Sequence, residues 1–278
     1  MTSRPICVAP DERLDIARAL MLSRDVRHLP VIAQRRDGRE GALAGILSLG
    51  DVVAAASPLS SSAGALGVAL REIPVERAMR RPVVTIDVGA SVWDAARLAV
   101  GRRVSSLPVV DGARLAGIVT GTDFMRFAVE RLRAGGDPPS ERLMSWRPIA
   151  TIRPGDGLDL ARSIMKASGV RHLPVLDGEQ LVGMLSLHDV LRAIGPRPAS
   201  ASSLLEQQAM AVRDAMTAPA VCGSPEDSAA DAGAALARRK LGALPLVRRG
   251  RLVGMLSVSD FFRYLLESAP EHAAESRG

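Results

Sequence analysis

Aromatic side chains are scarce in this chain: four Phe, two Trp and one Tyr among 278 residues. Proteins that hold single-stranded nucleic acid stack bases on aromatic rings, so the scarcity speaks against a platform of that kind. No block of five consecutive basic residues offers a nucleic-acid-binding arm either. Cysteine is nearly absent. Cys7 and Cys222 are too few for a disulfide framework and lack the paired Cys/His spacing of a zinc site, which points to a reducing, cytoplasmic setting and to no bound metal. Lysine is reduced to Lys166 and Lys240, so the net charge of +6 is carried by arginine. The planar arginine fork matches phosphate, which keeps nucleotides in view, but scattered pairs (Arg35–Arg36, Arg80–Arg81, Arg102–Arg103, Arg238–Arg239) also suit a solvated surface. Long apolar runs are missing as well. The nearest approach, 41–70, contains Asp51, whose burial at a bilayer centre would cost roughly 3 kcal/mol, and is interrupted by Pro58 and Ser60–Ser62. The first residues, "MTSRPICVAPDERLD", carry charges where a secretory leader has an apolar core, so neither a membrane span nor export is expected.

What is present is a fourfold repeat. A strand with a Leu-Pro core recurs as "VRHLPVI" at 26–32, "VSSLPVV" at 104–110, "VRHLPVL" at 170–176 and "LGALPLV" at 241–247. Each is followed by a second strand running into a polar cap: "GILSLGD" at 45–51, "GIVTGTD" at 117–123, "GMLSLHD" at 183–189 and "GMLSVSD" at 254–260. The glycine-to-aspartate offset is six residues in all copies. From the Leu-Pro proline to that glycine it is nine in copies two to four and fifteen in the first, where "RRDGREGALA" lengthens the hairpin. Each copy opens with a methionine and a nearby proline: Met1/Pro5, Met79/Pro82, Met144/Pro148 and Met216/Pro219. Between the opening and the Leu-Pro strand, Leu14, Ala17, Leu20 and Met21, like Leu158, Ala161, Ile164 and Met165, recur at helical spacing and read as core faces. Helical stretches also begin at each aspartate. The predicted order per copy is strand, helix, strand, hairpin, strand, helix, an α/β (α+β) unit too small to bury a core alone, so copies should pack in pairs.

The unit resembles the cystathionine-β-synthase (CBS) domain, whose hallmarks are this Leu-Pro-Val strand and the Gly-hydrophobic-x-Ser/Thr-x-x-Asp turn. The resemblance implies that two such domains pair pseudo-symmetrically into a Bateman module, with clefts for adenosine ligands such as AMP, ADP, ATP or S-adenosylmethionine. Repeats are expected at 1–57, 76–132, 141–195 and 213–268, giving module 1 at 1–132 and module 2 at 141–268. Copies one and three share Arg-His before Leu-Pro, where copies two and four have Ser-Ser and Gly-Ala; a two-copy module duplicated whole explains this. Segments 57–74 and 195–208 join copies within modules, "RAGGDPPSE" at 133–141 separates the modules, and 269–278 reads as a disordered tail.

The Ser/Thr-x-x-Asp turns carry the candidate chemistry. As capping boxes they need no ligand. Capping favours Glu or Gln at the fourth position, however, and all four copies have Asp, a short carboxylate able to accept both hydroxyls of a ribose. The resemblance implies ribose or phosphate contacts for Ser48/Asp51, Thr120/Asp123, Ser186/Asp189 and Ser257/Asp260, with Thr122 and Ser259 as second hydroxyls. Three residues after the opening proline, Thr85 and Thr151 match another ligand position, and Val8 and Cys222 do not. Arg27/His28 and Arg171/His172 are candidate phosphate contacts, or solvated strand residues in part, since neighbouring side chains point to opposite faces. "SLHD" at 186–189 could be mistaken for a catalytic cluster. His188 is absent from the other copies and no Gly-x-Ser-x-Gly elbow occurs, so no enzyme is expected. The expectation is a non-catalytic adenine-nucleotide sensor acting on a regulated protein, with homodimerisation open; the alternatives are an S-adenosylmethionine-binding CBS protein and a basic nucleic-acid-binding protein.

Overall fold

The computed structural model describes residues 1–33, 41–56, 70–145, 148–193 and 210–269. Most of the expected linkers at 57–74 and 195–208, and the tail from 270, lie outside the described residues.

Each copy is built on a hairpin followed by a helix. Copy one contains α1 (Leu14–Ser23), β1 (His28–Ile32), β2 (Leu43–Ser48) and α2 (Leu49–Ala56). Copy two contains β3 (Ile86–Asp87), α3 (Val92–Gly101), β4 (Ser106–Asp111), β5 (Arg114–Thr120) and α4 (Gly121–Gly135). Copy three contains α5 (Leu158–Ser168), β6 (His172–Asp177), β7 (Gln180–Ser186) and α6 (Leu187–Ala193). Copy four contains α7 (Val212–Ala215), α8 (Ala229–Arg238), β8 (Ala243–Arg248), β9 (Arg251–Ser257) and α9 (Val258–Glu267). The opening strand expected in every copy is reduced to single parallel bridges at Val8–Val31, Ile152–Val175 and Gly223–Leu246, and to the two-residue β3 in copy two. The reason is the proline. Pro30, Pro174 and Pro245 accept hydrogen bonds from Val8, Ile152 and Gly223 through their carbonyls but have no N–H to return, so the ladder on that side cannot extend.

The hairpins share one register. The Leu-Pro proline lies opposite the residue after the repeat glycine, and the next residue lies opposite the glycine itself: Pro30–Ile46 and Val31–Gly45, Pro108–Ile118 and Val109–Gly117, Pro174–Met184 and Val175–Gly183, Pro245–Met255 and Leu246–Gly254. A register shift follows the residue opposite the glycine in all four.

The opening methionine and the repeat glycine explain one another across copies. A Cβ on Gly45 would overlap the Met79 sulfur, on Gly117 the Met1 sulfur and Thr2 carbonyl, on Gly183 the Met216 sulfur, and on Gly254 the Met144 sulfur. The residue after each methionine then bridges the partner's second strand: Thr2 with Ile118, Arg80 with Ile46, Ser145 with Met255, Thr217 with Met184. Copy one thus exchanges its opening segment with copy two, and copy three with copy four. The hairpins of copies three and four also meet at Gln180–Arg251.

Packing of the helices runs the other way. One apolar cluster joins Leu14, Ala17, Met21 and Val52 of copy one to Leu158, Ala161, Met165 and Val190 of copy three. A second joins Phe124, Ala128 and Val129 on α4 to Phe261, Phe262 and Leu265 on α9. In it the Phe124 and Phe262 rings lie 4.6 Å apart. The connecting segment after α4 is held down, with Asp137 bonded to the Ser228 hydroxyl and the Ala230 N–H, and Pro139 bridged to Ser228.

Candidate functional site

All four Ser/Thr-x-x-Asp turns form the capping arrangement through a single carboxylate oxygen. Oδ2 of Asp51, Asp123, Asp189 and Asp260 accepts from the backbone N–H of Ser48, Thr120, Ser186 and Ser257 at 2.9, 2.9, 2.9 and 2.7 Å. The same oxygen accepts from the hydroxyl of that residue at 2.5, 2.9, 2.5 and 2.6 Å. Capping leaves Oδ1 of each aspartate unused, and the copies differ there. Asp51 Oδ1 accepts from Arg80 Nε at 2.7 Å, and Asp123 Oδ1 from the Met1 amino group at 3.0 Å. Asp260 Oδ1 accepts from the Ser145 hydroxyl at 2.6 Å and from Arg263 at 3.0 Å. Asp189 Oδ1 has no hydrogen-bond partner among the described residues. Burial pushes the Asp123 carboxyl up, but hydrogen bonds from the Thr120 N–H, the Met1 amine and the Thr120 hydroxyl outweigh it and hold the group below its usual value.

The residues before the Leu-Pro strands meet at one centre, although they come from all four copies. Arg27 donates to the Lys240 carbonyl at 3.1 Å, and Arg171 to the Ser105 hydroxyl at 3.3 Å. That hydroxyl lies 3.1 Å from His28 Nε2. A Cβ on Gly242 would overlap the His172 ring and lie 2.9 Å from Arg27 Nη1, which is why copy four carries glycine where the odd copies carry arginine. Arg171 is accessible to water, yet crowding by neighbouring atoms lowers its pKa. Arg27 is lowered by burial and then by Arg171, against the pull of Asp25 and Asp189. His28 and His172 are pushed down to about 3, chiefly by burial and then by the two arginines. Neither Arg27 nor Arg171 forms a salt bridge among the described residues.

Of the remaining candidates, Thr85, Thr122 and Thr151 are half-buried, and Ser259 is exposed with its hydroxyl 2.9 Å from that of Ser257. Arg80 and Ser145 were not anticipated. Both directly follow an opening methionine, and that position reaches the carboxylate of the paired copy. A cavity of 340 Å³ lined by Pro138, Arg142, Asp260, Arg263, Tyr264 and Glu267 touches one of the four turns and none of the central arginines. No cluster of potential metal ligands occurs among the described residues.

Four hairpin-helix units that exchange opening segments in pairs, with a Ser/Thr–Asp turn in each and a basic centre shared by all four, define a tandem-repeat fold. The chain belongs to the CBS-domain family, whose model matches residues 1–58, 71–130, 141–196 and 212–267. The crystal structure of MJ1225 from Methanocaldococcus jannaschii, described as a proposed archaeal homologue of g-AMPK, is similar with a TM-score of 0.80 at 21% identity, covering 95% of this chain and 97% of that one. A CBS domain-containing protein of Bacillus subtilis, YhcV, is 30% identical over 116 residues, 42% of this chain and 81% of that protein. An inosine-5'-monophosphate dehydrogenase of Korarchaeum cryptofilum is 32% identical over 117 residues, 42% of this chain but 22% of the enzyme, so the chain spans about a fifth of that relative's length. No described helix is long and apolar enough to cross a membrane.

Proposed function

We propose that the chain is a non-catalytic sensor that binds an adenine nucleotide with its phosphate at the Arg–His centre and its ribose on a turn carboxylate. One observation carries the reading: Arg27 and Arg171, from different modules, converge with two neutral histidines, and among the described residues no carboxylate bridges either guanidinium. Desolvated, unpaired like charges are costly, and an anion with several oxygens offsets that cost through bidentate charge-assisted hydrogen bonds. The same centre disfavours S-adenosylmethionine, which has no phosphate and carries a sulfonium cation. A nucleotide held by groups from both modules favours their packed arrangement over any other, so ligand shifts a population that a regulated partner can read. The family membership and the fold shared with MJ1225 support a regulatory role of this kind.

Calorimetry with adenosine, AMP, ADP, ATP and S-adenosylmethionine tests the proposal. Arg27→Ala and Arg171→Ala should weaken ADP and ATP more than adenosine, because the guanidinium addresses phosphate and not sugar. Silence from every nucleotide at millimolar concentration defeats the reading, and turnover of any of them revives catalysis.

A further inference from the structure

The four turns have one sequence pattern, yet they differ in what their second carboxylate oxygen already holds. The difference originates in the segment exchanged between paired copies. Arg80 and Thr217 occupy the same place in the two modules: each follows an opening methionine and bridges the second strand of the preceding odd copy, at Ile46 and Met184 respectively. Arg80 extends from that place to Asp51 and binds it with Nε at 2.7 Å. Thr217 is too short to do the equivalent, and it makes no side-chain hydrogen bond to Asp189 among the described residues. The odd copies therefore share "VRHLPV" and a Ser–Asp turn but present different carboxylates, Asp51 capped by a guanidinium and 8% exposed, Asp189 open and half-buried.

Two further observations favour the Asp189 cleft. Arg27 of the opposite module acts electrostatically on both Asp189 and His188, so the unpaired guanidinium and the open carboxylate belong to one neighbourhood. His188 adds a buried Nε2 that finds no hydrogen-bond partner among the described residues. An unpartnered donor or acceptor there is costly unless a ligand satisfies it. In copy four the equivalent oxygen of Asp260 is already bonded, and in both even copies the residues before the Leu-Pro strand are uncharged.

We infer that the clefts are filled in a set order: Asp189 receives the first nucleotide's ribose, while Arg80 acts as an internal competitor that withholds Asp51. The inference rests on the nucleotide reading above and adds which cleft is used and what sets the choice. Arg80 is a suitable competitor because its side chain is 68% exposed, so displacing it costs an ion pair and no packing. Breaking one charge-assisted hydrogen bond before the sugar can bind corresponds to about ten- to a hundredfold in affinity.

The test is calorimetric titration of the full chain with AMP, read as two dissociation constants. The wild type should show a first site and a second weaker by about tenfold or more. Asp189→Asn, which keeps the size and much of the capping of the side chain, should weaken the first site by about 30-fold or more. Arg80→Ala should strengthen the second site to within about threefold of the first, and adding Asp51→Asn to it should remove the gain. Weaker AMP binding in Arg80→Ala would mean that Arg80 is itself a ligand contact, and it would overturn the inference, as would an unchanged first site in Asp189→Asn. A crystal of wild-type protein soaked in AMP gives an answer that depends on no variant's folding: density at Asp189 before Asp51 supports the order, and equal density at both, or Asp51 first, overturns it while leaving the nucleotide reading intact. Absence of any AMP, ADP or ATP binding to the wild type removes both.

Discussion

His28 and His172 are neutral in the folded protein because burial and the flanking charges of Arg27 and Arg171 depress their pKa values to about 3. For His28, Asp51 opposes the shift and Arg80 adds to it. The consequence for stability has a definite sign. Above pH about 6.5 the imidazoles are neutral in both folded and unfolded chains, and no dependence on pH arises from them. As pH falls from there towards 3, the unfolded chain takes up protons that the folded one refuses, and stability is lost at up to about 1.4 kcal/mol per pH unit for each histidine. Urea denaturation between pH 7.5 and 5 should show this decline, and His172→Gln should make it shallower. An unchanged slope in that variant would show that His172 becomes charged within the fold. Bound phosphate should reduce the decline as well, since an anion at the centre favours the imidazolium.

The exchanged opening segment is the element on which pairing depends, and it was legible only in part. Spacing alone exposed four copies, the glycine-to-aspartate offset, the hairpins and the helical faces at Leu14–Met21 and Leu158–Met165, because these patterns are local and repeat with the backbone period. Linear spacing could not show that Met79 packs on Gly45 or Met216 on Gly183, since those partners lie in different copies. For the same reason Arg80 passed as one of a scattered basic pair, and Asp51 passed as equivalent to Asp189. The Leu-Pro prolines were visible, but the side on which they stop the ladder to the opening strand emerges only once the neighbouring segment is known. Gly183→Ala tests the exchange. Its Cβ would stand 2.6 Å from the Met216 sulfur and 3.1 Å from the Thr217 carbonyl, and the carbonyl cannot move without breaking its bond from the Met184 N–H. Overpacking of this kind costs about 1–3 kcal/mol. Met216→Ala introduced together with it should recover part of the loss, giving a favourable coupling in a double-mutant cycle, whereas additive effects would place the two residues out of contact.

On the scale of the whole molecule, two kinds of pairing link the four copies: one with two and three with four by exchanged segments, one with three and two with four by helix packing. The helical stripes at Phe124–Val129 and Phe261–Leu266 needed a cover, and they supply it to each other within one chain. The basic centre lies where both pairings meet, so its geometry depends on the modules staying docked. Phe262→Ala addresses that docking directly. The ring is 6% exposed and 4.6 Å from Phe124 of the other module, and its removal should cost about 3–5 kcal/mol if the cavity does not collapse. That loss falls on the contact between modules and leaves the exchanged segments within each module in place. Differential scanning calorimetry should then resolve two transitions in the variant where the wild type melts in one, since each module retains its own exchange. On the proposed reading, in which Arg27 from one module and Asp189 from the other hold the nucleotide, saturating AMP should draw the two transitions back together, because such a ligand stabilises only the docked form. A single transition lowered in temperature, with no further effect of AMP beyond a common shift, would show that the modules fold as one unit and that the nucleotide does not act across their interface.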